Sequence, residues 1–374
     1  MNKKKVIAIL TTVALVSTLF VGCGTKNEEP KADAPKTEEK AAGSDIIIGL
    51  STDEGGLNDK SFNQSADTGV KRAMDEDGFT YKPIESKQKE DYNANLEALV
   101  EEDSNLTFAI GFQMADALKA VAENHPDKKF AIIDSVVDLP NVASITFKEQ
   151  EGSFLMGVIA GKMTKTNKIG FIGGKDIELI NRFEVGFAAG VKSVNPEAAK
   201  GLLSTGTDIE NLEPGTSVRY AASFADTVKG TELAKSLYQD GCDIVYHAAG
   251  GVGIGLFIAA KELKDAGEEV WAIGVDMDQA LSLPEYSDVI LSSMMKRVDT
   301  ATYDQSKAIV SDTFEGGSII NLGLKEKGVG IAETSSDNVP KDVLDLVKTY
   351  EDKVIAGEIV VPTNREEAMN FKVK

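Results

Sequence analysis

Apolar residues along this chain fall into a repeating series. Short, nearly unbroken apolar runs at 46–50, 106–110, 130–134 and 142–147 alternate with segments whose apolar positions recur every three or four residues. The short runs predict strands buried on both faces; the periodic segments predict the helices that cover them. The first helix carries its apolar face at Phe62, Ala66, Val70 and Ala73 or Met74, a second runs through 95–102, and a third shows Met114, Ala117, Leu118, Val121 and Ala122. From Glu151 the series begins again, with a helix through Phe154, Leu155, Val158 and Ile159 and a strand at 168–172. The next helix presents Phe183, Phe187 and Val191, spaced four apart on one face, which reads as core. Strands at 218–222, 243–247, 270–276 and 289–296 follow, with helices at 227–239, after the glycine-rich 248–255, and from about 299 to 314. Strand and helix in strict alternation mean an α/β fold with parallel sheets, and the restart at Glu151 means two lobes.

Polar residues interrupt this pattern where the strands end. The loop 53–63 follows the first strand and holds two glycines for a tight turn, Asp59 or Ser61 to cap the coming helix, and Asp53, Asn58 and Phe62. An acceptor, a mixed donor and acceptor, and an aromatic face suit a ligand with hydroxyls and a flat ring. In open α/β sheets ligands bind at this carboxyl edge. Taken alone, the stretch is equally an ordinary turn and cap, with Phe62 as a core residue. Other strand ends strengthen the ligand reading: Asp134, Asp276 and Lys296 each close an apolar run. Each has a plainer explanation, a turn for the acids and a snorkelling stem for the lysine. Phe224 stands in the loop 223–226 as Phe62 does in the first lobe, and two aromatic faces on opposing loops would sandwich a planar ring. Stacking contributes roughly 1–3 kcal/mol per base in nucleic-acid binders, which favours a heterocycle over a simple sugar.

Lys3, Lys4 and Lys5 precede an apolar run at 6–21, the charged and hydrophobic regions of a secretory signal. The run ends in Leu19-Phe20-Val21-Gly22-Cys23, similar to a bacterial lipoprotein processing site in which Cys23 carries the lipid. Lys, Glu, Ala, Pro and Thr dominate the following stretch to Ser44, the composition of a solvated tether. Residues 1–22 are therefore expected to be a signal peptide and 23–44 a lipidated disordered tether, which places the protein on the outer face of a bacterial cell membrane. A net charge of −20 argues against nucleic acid or an anionic membrane face as partner. Only two histidines and two cysteines are present, so little metal chemistry is expected, and Cys242 has no partner once Cys23 is lipidated. Two glycine-rich segments fail as phosphate loops. Gly251, Gly253 and Gly255 lack the dinucleotide spacing, and Gly173-Gly174-Lys175 is followed by Asp176 where a P-loop needs Ser or Thr. No cofactor is expected.

On the loop 53–63, the strand ends at Asp134, Asp276 and Lys296, the segment 223–226 and the glycines 250–253, the chain resembles the basic membrane protein family of lipoproteins. These are substrate-binding components of ABC importers, the best understood being purine nucleoside receptors. The resemblance implies a type I periplasmic-binding-protein fold, two Rossmann-like lobes with three crossovers near Phe147, Lys296 and Leu324. The lobes would comprise 45–147 plus 296–324 and 148–295 plus 325–374. It also implies that Phe62 and Phe224 stack on the purine of guanosine, inosine or adenosine, that Asp134, Asp276 and Lys296 contact ribose, and that Asp53 and Gly250 orient the ligand. The partners it implies are a permease and ATPase subunits, with the binding protein a monomer.

Two other readings stay open from the residues. One is a binder or sensor of another small polar ligand such as a sugar; the other is a nucleoside hydrolase. The enzyme is disfavoured because the acids are scattered over separate strand ends, and because His125 and His247 read as structural.

Overall fold

The computed structural model describes residues 43–206 and 212–372. In chain order it begins with β1 (Ile47–Thr52), α1 (Phe62–Asp77), β2 (Thr80–Ile84), α2 (Asp91–Glu101), β3 (Leu106–Ile110), α3 (Ala115–Asn124), β4 (Phe130–Ile133) and β5 (Val142–Phe147). Then come α4 (Glu149–Met163), β6 (Ile169–Gly173), α5 (Glu178–Val194), β7 (Val218–Tyr220), α6 (Thr227–Gln239), β8 (Ile244–Ala248), α7 (Val252–Asp265), β9 (Trp271–Asp276), α8 (Gln279–Ser282) and β10 (Ile290–Lys296). The chain closes with α9 (Val298–Val310), β11 (Ile319–Leu322), β12 (Val329–Ile331), α10 (Ser335–Asn338), α11 (Lys341–Ile355) and α12 (Arg365–Asn370).

Two six-stranded sheets result, ordered β11-β5-β4-β3-β1-β2 and β12-β10-β9-β8-β6-β7. The orders match position by position, so β4 in the first sheet corresponds to β9 in the second. Pairing is parallel except where β12 runs against β10. The chain crosses between sheets after β5, after β10 and after β11, which gives the type I architecture of two lobes and three crossovers. Helices cover both faces of each sheet, and strands such as β3 are buried along their whole length. That is why the central strands show as continuous apolar runs.

Edge strands carry a weaker pattern. β2 reads Thr80-Tyr81-Lys82-Pro83-Ile84, with no apolar run, and Pro83 is tolerated because an edge leaves one side of the ladder unpaired. β11 alternates exposed and half-buried residues, and β12 is a three-residue strand. The sequence pattern misses all three. It also carries α9 four residues too far, since that helix stops at Val310.

Candidate ligand-binding cleft

Carboxyl ends of strands from both sheets face one cavity, with about 550 Å³ of empty space when the part open to solvent is included. The first lobe contributes Asp53, Asp59, Phe62, Asn63, Phe112 and Asp134. The second contributes Leu179, Ile180, Phe183, Phe224, the backbone at Ala248 to Gly250, Val275, Asp276 and Lys296.

The loop between β1 and α1 is built on two carboxylates. Asp53 Oδ1 accepts from the Gly55 N–H at 3.1 Å and from Asn63 Nδ2 at 2.7 Å. Asp59 accepts from the backbone N–H groups of Ser61, Asn63 and Gln64 at 2.9, 2.9 and 3.0 Å, which caps the first turn of α1. Burial pushes both acids up, Asp59 to about 7, against these hydrogen bonds. Asn63 lines the cavity, and its Oδ1 is buried with no hydrogen-bond partner among the described residues.

Asp134 and Asp276 occupy matching places after β4 and at the end of β9. Both have left-handed backbones, with φ of 67° and 66°. Aspartate tolerates this conformation better than most side chains, and such strain collects at functional sites. Lys296, at the end of β10, is fully buried and does not snorkel. Its ammonium lies 2.5 Å from Asp134 Oδ2 and 3.3 Å from Glu149 Oε1, and Glu149 in turn is 3.2 Å from Arg182 Nε. Burial works against the ammonium, but Asp134, Glu149 and Asp276 outweigh it and raise its pKa. The same ammonium lies 5.1 Å from the ring centres of Phe62 and Phe147 and 5.5 Å from that of Phe183. Asp276 is pushed up to about 6 by burial, with Lys296 and the Ser61 hydroxyl that donates to its Oδ2 acting in opposition. Asp134 Oδ1 has no hydrogen-bond partner among the described residues, and Asp134 lines the same cavity.

Of the residues expected at the site, the cavity brings together Asp53, Phe62, Asp134, Phe224, Gly250, Asp276 and Lys296. Asn58 does not line it: it is exposed and borders a separate groove along α1 with Gln64 and Lys71. The cause is the cap, which buries Asp59 and Asn63 and turns the residue before it outward. Asn63 lines the cavity instead, and its position beside Phe62 was the available signal. Phe183, expected in the core, also forms part of the wall; its helical spacing with Phe187 and Val191 is real, but it lies in the turn of α5 nearest the cleft. Cys23 lies outside the described residues.

The histidines have structural surroundings. His247 Nε2 is 2.9 Å from Gln279 Oε1, and burial lowers its pKa to about 4, so the ring is neutral. His125, just after α3, has its Nε2 2.8 Å from Glu97 Oε2 of α2. Among the described residues no cluster of three or more His, Cys, Asp or Glu is arranged to hold a metal.

Two lobes that share one cavity, lined by rings, unpaired acceptors and a buried ion network, define a solute-binding protein. The comparisons agree. Residues 46–365 match the family model Bmp, described as ABC transporter substrate-binding protein PnrA-like. The chain is 39% identical to the CD4+ T-cell-stimulating antigen of Listeria monocytogenes over 96% of its own length and 99% of that protein's. It is 38% identical to the ABC transporter nucleoside-binding protein BmpA of Lactococcus lactis, over 96% of this chain and 99% of that one. A solute-binding protein of an ABC transporter system from Aeropyrum pernix K1 superposes with a TM-score of 0.73 at 28% identity, covering 87% of this chain and 96% of its own. The chain belongs to the Bmp family of PnrA-like ABC transporter substrate-binding proteins.

Proposed function

We propose that the protein captures purine nucleosides and delivers them to the permease and ATPase subunits of an ABC importer. The observation that carries this reading is the pairing of two aromatic rings, Phe62 and Phe224, from different sheets on one cavity that also holds the carboxylates of Asp53, Asp134 and Asp276. Rings on two sides suit a planar base. The carboxylates and the unpaired oxygens of Asn63 and Asp134 accept hydrogen bonds from base N–H groups and ribose hydroxyls. The acidic lining disfavours a phosphorylated guest, so a nucleoside fits better than a nucleotide. The name of the Lactococcus lactis relative, a nucleoside-binding protein, points the same way.

Capture proceeds by hinge closure. The two lobes rotate about the crossovers near Phe147, Lys296 and Leu324, and a guest touching both favours the closed state. The protein works as a monomer, exported and held at the outer membrane face by lipid on Cys23. No helix of the described residues is long and apolar enough to cross a membrane.

Isothermal titration with guanosine, inosine, adenosine and guanosine monophosphate tests the ligand. Binding of at least one nucleoside and not of the nucleotide is expected; no heat with any nucleoside sinks the proposal. Free base released from inosine would make the protein a hydrolase. Cys23→Ser is expected to lose membrane retention, and unchanged retention would remove the lipid from that cysteine.

A further inference from the structure

The segment Gly173-Gly174-Lys175 fails as a phosphate loop, yet it lies against the ring wall of the cleft. The strand and loop carrying Phe224 run along it: the Ala221 N–H donates to Gly173 O at 3.0 Å and the Ser223 N–H to Gly174 O at 3.2 Å. A Cβ on Gly174 would lie 2.2 Å from Phe224 Cε1, so the bare backbone is the seat on which this ring rests. Lys175 then leaves the second lobe. Its ammonium is 5.5 Å from the Phe224 ring centre and donates to Gln113 Oε1 of the first lobe at 2.6 Å, with Glu54 4.0 Å away. Gln113 Nε2 is buried and without a partner among the described residues, so the lysine is the contact that orients this amide. Phe112, next to Gln113, meets Phe224 edge-on with ring centres 6.2 Å apart.

We propose that Gly173-Gly174-Lys175 is a combined ring seat and latch: Gly174 fixes the plane of Phe224, and Lys175 holds the lobes closed across the mouth of the cleft. The latch stands on geometry alone, whereas its effect on ligand release rests on the nucleoside reading above. Both lobes must be closed for the Lys175 to Gln113 bond to exist. Opening therefore breaks a charge-assisted hydrogen bond and uncovers the outer side of Phe224 in one movement. Lys175 is a positioning residue, acting through Phe224 and Gln113.

Two measurements on the full chain separate the parts. Small-angle scattering compares the parent, Lys175→Met, Gln113→Leu and Lys175→Arg, each with and without guanosine. Expansion of the Met and Leu variants relative to the parent, with the Arg variant restoring compactness, supports the latch whatever the ligand proves to be; unchanged dimensions in both overturn it. Guanosine dissociation followed by stopped flow is expected to be about tenfold faster in Lys175→Met and Gln113→Leu and no faster in the double variant, with association little altered. Gly174→Ala is expected to weaken guanosine binding without expanding the protein, and wild-type affinity would remove the seat. A parent that binds no guanosine overturns the nucleoside reading, and scattering still decides the latch.

Discussion

The two walls of the cleft are unlike. The first lobe presents mostly polar groups, Asp53, Asp59, Asn63 and Asp134, with Phe62 and Phe112 among them; the second presents Leu179, Ile180, Phe183, Phe224, Val275 and bare backbone, with Asp276 and Lys296 at one end. Matching sheets have thus been given different chemistry: one wall reads hydrogen-bond donors and the other shape and surface. The exceptions lie where the walls meet. Lys296 reaches from the second sheet to Asp134 of the first, and Ser61 of the first donates to Asp276 of the second.

The largest effect is expected where the walls join. Lys296→Met leaves Asp134 and Glu149 buried without their shared cation and should lower unfolding stability in urea by about 3–5 kcal/mol. A loss of less than about 1 kcal/mol would show that the network is not a structural junction. On the polar wall, Asp59 holds its proton more tightly when folded than when unfolded. Its contribution to stability is therefore greatest below about pH 4 and falls as pH rises toward about 7. Asp59→Asn should gain on the parent in unfolding free energy across that window, despite weakening the cap, and a pH-independent difference between the two would refute the assignment.

Next come the rings. Phe62→Ala and Phe224→Ala should each weaken guanosine binding by roughly 1–3 kcal/mol in titration while leaving the fold intact. Phe62 should stand at the upper end, because its ring also faces the Lys296 ammonium. Equal wild-type affinities in both would end the sandwich. Asn63→Leu removes an acceptor from the polar wall and should weaken binding by about 0.5–1.5 kcal/mol. Asn58→Ala, on the groove along α1, should change affinity by less than about 0.5 kcal/mol, and a larger change would return Asn58 to the site.

Much of this architecture is written locally. Central strands buried on both faces must be apolar throughout, so β1, β3, β4, β5, β8 and β9 are legible as runs, and the acids that end them mark the carboxyl edge. Both rings, the strand-end carboxylates and Lys296 follow from that rule. Edge strands β2, β11 and β12 escape it because one side needs no partner and little burial. What the chain order could not decide is direction within a turn. Asn58 and Asn63 are equally plausible polar residues in a glycine-rich loop, and only the three backbone N–H groups gathered by Asp59 determine which faces inward. Phe183 shares its spacing with true core residues, and its role depends on where the end of α5 meets the other lobe. Lys296 as a buried hub and Lys175 as a bridge are likewise invisible in one dimension, since their partners lie 162 and 62 residues away. Periodicity determines which residues are buried; contacts between distant segments decide what they are buried against.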